Sequence, residues 1–199
     1  MQATKQGVSR TRQVVAAVIG NALEWYDFIV YGFLASIIAR QFFPSEDEYA
    51  SLLMALATFG VGFFMRPVGG ILLGMYSDRK GRKAAMQLII RLMTISIALI
   101  AFAPSYAAIG MGAPMLIVVA RMLQGFATGG EYASATAFLV ESAPAHRKGL
   151  YGSWQLVGQC LAVFGGAAMV ALVTHFFEPQ TLEVWGWRLP FIFGLLIGP

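Results

Sequence analysis

The sequence predicts an all-helical integral membrane protein, and three observations support this fold class. Of the 199 residues, 58% are hydrophobic and only 12% are charged, whereas a soluble domain has about 25% charged residues. The mean hydropathy is +0.68. Long runs are almost free of charge, since residues 92–120 and 149–177 carry none and Arg66 is the only charge between Glu48 and Asp78. A spanning helix needs roughly 20 apolar residues, so these runs are long enough to cross a bilayer.

The apolar runs divide into six predicted spans that follow a cytoplasmic N-terminal tail at residues 1–13. The spans are expected at about residues 14–39, 51–76, 86–103, 114–139, 150–174 and 189–199. Pro and Gly between Ala103 and Pro114 predict the turn between the third and fourth spans. The last segment would rise only about 16 Å as a helix, so the sixth span is expected to be incomplete. Residues 14–199 are thus predicted to form one transmembrane bundle.

Basic residues predict the orientation of the bundle. Ten of them lie in the N-terminal tail, around the 2–3 loop and in the 4–5 loop, whereas the opposite side has only Arg40 and Arg188. The positive-inside rule therefore places the N-terminus in the cytoplasm. The first span holds two acids and has no clear small-residue cleavage site, so we expect an uncleaved helix and not a signal peptide. The basic excess is explained by topology, and no nucleic-acid partner is expected.

The sequence contains no pattern typical of an enzyme. It has no phosphate-binding loop, nucleophile triad or metal-ligand cluster, so no catalytic residue, metal or cofactor is expected. The single cysteine, Cys160, lies in an apolar run and can form no disulfide within the chain. We expect it to pack between helices.

Five charged residues lie deep inside the predicted spans, away from the span ends, where each is costly. They are Glu24, Asp27, Arg66, Arg121 and Glu131. A charge at the bilayer centre costs about 2.5–3.5 kcal/mol on insertion scales, so these side chains should face a bundle interior or a wet cavity and pair with one another.

Helical spacing gathers the polar residues into one stripe on each of three helices. Asn21, Glu24, Asp27 and Tyr31 share a face of the first span, Arg121, Gln124, Thr128 and Glu131 share a face of the fourth, and Gln155 and Gln159 lie one turn apart on the fifth. The stripes predict a shared polar cavity. Distance from the helix ends predicts an outer pair, Asp27 with Arg121. It also predicts an inner group in which Arg66 meets Glu24 or Glu131.

Four short stretches resemble one family of membrane transporters. GMYSDRKGRK (Gly74–Lys83) resembles the 2–3 loop signature of the major facilitator superfamily, G-x-x-x-D-R-x-G-R-K. Three others, GNALEWYDFIVYG (Gly20–Gly32), FFMRPVGGILLG (Phe63–Gly74) and RMLQGFATGGEYASA (Arg121–Ala135), resemble its metabolite–proton symporter branch. That branch handles citrate, 2-oxoglutarate, shikimate, and proline or betaine. Met65 departs from the aromatic residue that is common before Arg-Pro.

The resemblance implies the six-helix N-terminal half of a twelve-helix fold, built from two inverted three-helix repeats, in a bacterial inner membrane. It implies proton-coupled symport of a small organic acid or zwitterion, with the substrate bound between this half and the C-terminal six-helix half that the chain lacks. Some related transporters couple an acid in helix 1 to an arginine in helix 4. It also implies that the 2–3 loop contacts the partner half and helps to lock one conformation.

These considerations assign candidate roles to individual residues. The proton-coupling candidates are Asp27, Arg121 and Glu24. The substrate-binding candidates are Arg66, Arg121, Gln124, Glu131, Tyr31, Gln155 and Gln159. The gating-loop candidates are Gly74, Asp78, Arg79, Gly81, Arg82 and Lys83.

Simpler roles stay open for several of these residues. Intramembrane ion pairs can serve only to hold helices together, Tyr31 can be a packing residue, and Gln155 and Gln159 can bridge helices without touching substrate. The alternative functions are an uncoupled facilitator or exchanger of the same fold, or an inactive truncated membrane fragment. The identity of the substrate is not predicted.

Overall fold

A computed structural model describes residues 10–141 and 143–197, and these residues form helices and short turns without a β-strand. In chain order, the helices are α1 (Arg10–Phe33), α2 (Ala35–Phe42), α3 (Glu48–Lys80), α4 (Arg82–Ala101), α5 (Tyr106–Ile109), α6 (Gly112–Glu141), α7 (Lys148–Phe176), α8 (Pro179–Val184) and α9 (Leu189–Ile197). Single 3-10 turns precede α7 and α9.

The long helices coincide with the predicted spans to within a few residues. Helix α9 begins at Leu189, where the sixth span was expected to start, and α1 begins at Arg10, inside the predicted tail. In the described part of the chain, three helices are long and apolar enough to cross a membrane: Glu48–Lys80, Ala84–Ala101 and Lys148–Phe176. The bent α1–α2 pair is a fourth if it is counted as one span. The number and boundaries of the spans stay predictions.

The first predicted span, 14–39, is not one straight helix. It breaks at Leu34, and the axes of Asn21–Phe33 and Ala35–Phe42 differ by 68°. The backbone of Leu34 leaves the α region, with φ −93° and ψ 7°. Its side chain is 1% exposed, so packing against the rest of the bundle holds the helix break in place. Beyond it, Arg40 Nη2 lies 2.8 Å from Glu183 Oε1 and Gln41 Nε2 donates to the Glu183 carbonyl at 3.0 Å. These contacts anchor α2 to α8 after the bend.

The connection between α3 and α4 is shorter than the predicted 2–3 loop. Helix α3 continues to Lys80 and α4 begins at Arg82, so Gly81 alone separates them. Gly81 has φ +88°, a conformation that glycine adopts without steric cost, and its N–H donates to the Ser77 carbonyl. Arg79 and Lys80 lie in the last turn of α3, where the helix dipole favours cations. Sequence and structure thus agree on the glycine turn but differ in its length.

Glycines bring α3 and α6 into backbone contact. A Cβ at Gly125 would overlap the carbonyl of Gly62, and a Cβ at Gly129 would overlap the carbonyl of Arg66. A Cβ at Gly69 would likewise overlap the carbonyl of Phe126. Small residues four apart permit such close helix approach in membranes. The contact matters for function because Arg66 and Arg121 lie on these two helices.

Helix α1 completes the centre of the bundle, and α7 and α9 pack on its other sides. Gly158 and Gly166 of α7 face Val18 and Ile29 of α1. The Tyr26 hydroxyl donates to the carbonyl of Pro190 at 3.1 Å and so joins α1 to α9. The polar stripe of α1 faces Arg66 of α3 and Arg121 of α6.

Candidate functional site

The outer predicted ion pair is present and completely buried. Nη1 of Arg121 on α6 lies 2.8 Å from Oδ2 of Asp27 on α1. The Arg121 side chain is 0% exposed and that of Asp27 is 2% exposed. The pairing predicted from helix depth is therefore confirmed, while its role in proton coupling stays a prediction.

Gln124 and Tyr31 complete the surroundings of this pair. Nε2 of Gln124 donates to the same Asp27 oxygen, and Oε1 of Gln124 accepts from Arg121 Nη1, so the three side chains form a closed triangle. The guanidinium carbon of Arg121 lies 3.9 Å from the centre of the Tyr31 ring, a cation–π contact. The Tyr31 hydroxyl donates to the carbonyl of Ala55 at 3.0 Å, which fixes the ring in place.

The inner predicted group is also formed, by Glu24 and Arg66. Nη2 of Arg66 on α3 lies 3.3 Å from Oε1 of Glu24. Glu24 is 1% exposed, whereas Arg66 is 25% exposed and so has partial access to the surroundings of the bundle. Of the two acids that the sequence left open, the structure selects Glu24 as the partner of Arg66.

Phe28 lies between the two arginines, and it is not among the residues predicted from the sequence. The guanidinium carbon of Arg66 is 4.8 Å from the centre of the Phe28 ring and that of Arg121 is 6.0 Å from it. Arg66 also lies 4.4 Å from the Phe63 ring, and Phe59 stacks on Tyr31 with ring centres 5.5 Å apart. A phenylalanine in an apolar helix gives no sequence signal that separates a cation-facing ring from a lipid-facing one. Its position next to the Asp27 stripe is the only available indication.

Several buried polar atoms in this region have no hydrogen-bond partner among the residues that the structure describes. They include both side-chain amide atoms of Asn21, Oδ1 of Asp27, and Nε and Nη2 of Arg121. A buried polar group without a partner costs about 1–3 kcal/mol. The site can therefore gain free energy by binding a polar ligand, water or a proton.

The remaining substrate-binding candidates lie farther along the same helices. Glu131 is partly buried one helical turn after the fully buried Thr128. Gln155 is buried on α7, and Gln159 is partly buried one turn later. Their roles in binding substrate stay predictions.

The gating-loop candidates are grouped at the cytoplasmic end that the charge pattern predicts. Gly74 and Asp78 lie in the last two turns of α3, and Asp78 and Arg79 are exposed. Arg82 and Lys83 open α4, and their side chains lie outside the described part of the structure. The exposed position of Asp78 leaves it available to a partner surface, and the gating role itself stays a prediction.

The helices enclose two acid–arginine pairs, and three helices in the described part of the chain are long and apolar enough to cross a membrane. The model of the family described as "Sugar (and other) transporter" matches residues 13–198. The chain therefore belongs to this family, and it has the fold of the N-terminal half of a major facilitator transporter.

Curated relatives include transporters for several organic acids and zwitterions. The chain is 43% identical over 199 residues to the citrate-proton symporter of Klebsiella pneumoniae, covering all of this chain and 45% of the relative. It is 42% identical over 187 residues to the glycine betaine/proline/ectoine/pipecolic acid transporter OusA of Dickeya dadantii, covering 94% and 37%. It is 40% identical over 192 residues to the shikimate transporter of Escherichia coli, covering 96% and 44%. The chain thus spans less than half the length of these relatives.

Solved structures with the same fold include the xylose transporter XylE of Escherichia coli. In its partially occluded inward-open conformation, XylE matches with a TM-score of 0.82 and 20% identity over 93% of this chain and 46% of XylE. Its inward-open conformation matches with a TM-score of 0.74 and 21% identity, covering 95% and 46%. At this identity the likeness shows the fold alone, and it confirms the predicted N-terminal half of that fold.

Proposed function

We propose that the complete protein is a secondary active transporter that carries a small organic acid or zwitterion together with protons by alternating access. The observation that carries this proposal is the Asp27–Arg121 pair, which is shielded from solvent and has, on both partners, hydrogen-bonding atoms that bind no described residue. A pair built only for stability would be expected to have those atoms satisfied.

The chemistry follows from a change of charge at Asp27. Protonation of Asp27 removes its attraction for Arg121, because a neutral carboxyl no longer forms an ion pair. The freed guanidinium can then bind a substrate carboxylate through two parallel N–H···O bonds. Gln124 lies between the two partners and can keep a hydrogen bond to either, so it holds Asp27 in place while Arg121 moves. The proton and the anion would then cross together.

A carboxylate is the chemical group that the candidate substrates share. The relatives are described as transporters of citrate, shikimate, and proline or betaine. Each of these compounds carries a carboxylate, and two arginines line the polar centre of this half. Arg66 is the partly exposed one, so we assign it the first contact with substrate and assign Arg121 the contact that depends on protonation. Tyr31, Gln155, Gln159 and Glu131 are further candidate contacts.

The other half of the site lies outside this chain. Substrates of such folds bind near the bilayer midplane between two six-helix halves. We propose that a C-terminal half supplies the remaining contacts to the substrate. Asp78 and its basic neighbours then close against that half on the cytoplasmic side. We further propose that the protein lies in a bacterial inner membrane with a cytoplasmic N-terminus. The chain alone is then expected not to transport.

Uptake of a labelled panel by the full-length protein tests the proposal. Citrate, shikimate, proline and betaine are supplied to vesicles that hold the wild type or Asp27→Asn, with and without an uncoupler. Concentrative uptake of one compound that the uncoupler abolishes, and that Asp27→Asn lacks, is the expected result. Equal uptake with and without the uncoupler would instead identify an uncoupled facilitator or exchanger. Proton-driven accumulation that survives unchanged in Asp27→Asn would exclude Asp27 as the carrier.

A further inference from the structure

Aromatic rings lie between the two guanidinium groups of the polar centre. The rings of Phe28, Phe59 and Phe63 contact one another, with centroids 5.3 to 5.5 Å apart, and Tyr31 stacks on Phe59. Each of these rings contacts at least one arginine, and Phe28 contacts both. A guanidinium within about 6 Å of a ring centre is attracted to the ring face. The aromatic cluster therefore stabilises charge in addition to filling space.

The ion pair with Glu24 does not by itself fix the position of Arg66. Its one described contact joins Nη2 to Oε1 and is 3.3 Å long, whereas a charge-assisted hydrogen bond between such groups is usually about 2.7–2.9 Å long. The guanidinium carbon lies 4.4 Å from the centre of the Phe63 ring and 4.8 Å from that of Phe28. Both distances are well inside the cation–π range. The two rings, one on α3 and one on α1, therefore help to determine where the guanidinium lies.

The rings hold this charge without using its hydrogen-bond donors. A guanidinium that lies over a ring face is attracted by the ring quadrupole, so its N–H groups stay available to acceptors in the guanidinium plane. Nη2 of Arg66 donates to Glu24, while Nε has no acceptor among the described residues. A carboxylate binds an arginine best through two parallel N–H···O bonds. Arg66 is thus held in place and still has a donor to offer to such a ligand.

We propose that Phe28 and Phe63 position Arg66 for the carboxylate of the substrate, so that its guanidinium stays in the site when it exchanges Glu24 for the ligand. This role rests on the proposed function, in which Arg66 makes the first contact with substrate. The rings offset part of the cost of separating the arginine from its acid, and they limit the side-chain freedom that is lost on binding. Phe28 and Phe63 are therefore positioning residues, and neither needs to touch the substrate.

Phe63 and its neighbour Phe64 form a matched pair for testing this role. Phe63 is 45% exposed and Phe64 is 81% exposed, so shortening either side chain leaves little internal cavity in this half of the protein. Phe64 contacts neither guanidinium in the described structure. Phe28 is less suitable because it is 5% exposed, and its removal would disturb the packing of the bundle. Phe63→Leu and Phe64→Leu thus differ mainly in the ring that lies over Arg66.

Nuclear magnetic resonance of the full-length protein with isotope-labelled arginine tests the ring contact without substrate. The Nε–H signal of Arg66 is identified by its loss in Arg66→Lys. An aromatic face shields the protons above it, so Phe63→Leu should move this signal downfield, whereas Phe64→Leu should leave it unchanged. A signal that does not move in Phe63→Leu overturns the contact on which the proposal rests.

Uptake kinetics test what the contact does for the substrate. For whichever of citrate, shikimate, proline and betaine the wild type accumulates, Phe63→Leu should raise the concentration for half-maximal uptake roughly 2- to 30-fold, the range that a cation–π contact supplies. The maximal rate should change little. Phe63→Tyr keeps the ring face and should restore the wild-type value, and Phe64→Leu should match the wild type.

Fluorinated phenylalanines at position 63 separate the charge of the ring from its shape. Fluorine weakens the negative ring face and changes the ring's size little, so the half-maximal concentration should rise with each fluorine added. These variants also answer the question if Phe63→Leu does not fold. Values that do not follow the number of fluorines would show that the ring acts by shape alone and would overturn the positioning role.

Failure of this role and failure of the proposed function give different results. A half-maximal concentration that is unchanged in Phe63→Leu overturns the role while the wild type still accumulates substrate. A wild type that accumulates none of the compounds contradicts the proposed function instead, and with it the positioning role that rests on it. The resonance comparison then decides separately whether the ring holds Arg66.

Discussion

Removing the cation from the Asp27–Arg121 pair should destabilise the protein far more than removing both charges. In Arg121→Gln, Asp27 keeps only Gln124 as a hydrogen-bond partner and stays 2% exposed. Breaking a buried pair by removing one partner costs about 3–5 kcal/mol, because an uncompensated buried charge remains. The 2.8 Å contact and the absence of exposure place this pair at the upper end of that range.

The double variant Asp27→Asn with Arg121→Gln should recover most of this loss. Neither side chain is then charged, and the two amides can hydrogen-bond to each other and to Gln124. Replacing a whole buried pair by neutral groups is often close to neutral, so we expect a residual cost of about 1–2 kcal/mol. If Asp27→Asn costs a similar amount to Arg121→Gln, the two single variants sum to about 6–10 kcal/mol, so the coupling free energy between the two positions should be at least about 4 kcal/mol.

The assay is reversible unfolding of the full-length protein in mixed micelles, followed by helical circular dichroism for the wild type, both single variants and the double variant. The reasoning is refuted if the double variant is as unstable as the sum of the single variants, since the two side chains would then act independently. The exposed pair formed by Arg40 and Glu183 serves as a control cycle. Its coupling should be below about 1 kcal/mol.

Two further substitutions test the packing that supports the site. Gly129→Ala places a Cβ against the Arg66 carbonyl, so the free energy of unfolding should fall by about 1–3 kcal/mol relative to the wild type. The matched control is Gly60→Ala, whose Cβ meets no described atom within 4 Å, so its free energy of unfolding should be unchanged or slightly higher. Equal stability of the two variants would contradict the close contact of α3 and α6. Tyr31→Phe removes the hydrogen bond to the Ala55 carbonyl and should lower stability by about 1 kcal/mol in the same unfolding assay. No change would show that the hydroxyl is not bonded there.

The membrane fold and both ion pairs could be predicted from the sequence because each rests on a strong physical constraint. Apolar runs of sufficient length predict spans, and a charge inside a span must find a partner. Depth along the helices was then sufficient to match Asp27 with Arg121. The same argument could not separate Glu24 from Glu131 as the partner of Arg66, since the two acids lie at similar depth on different helices.

The features that the sequence did not predict depend on tertiary packing. The break at Leu34 has no proline or glycine at the bend itself and is held by contacts of α2 with α8. The location of Phe28 between two guanidiniums depends on how α1 rotates against α3 and α6. Short helices such as α8 are too brief to give a periodic signal. In each case the deciding contacts join residues that are distant in the chain.

Proton movement on addition of substrate tests the central claim most directly. The full-length protein is reconstituted in proteoliposomes, and the external pH is recorded when the transported compound is added without any other driving force. The wild type should make the medium alkaline, while Asp27→Asn should exchange labelled for unlabelled substrate across the membrane and leave the pH unchanged. Alkalinisation by Asp27→Asn at the wild-type rate would contradict the account.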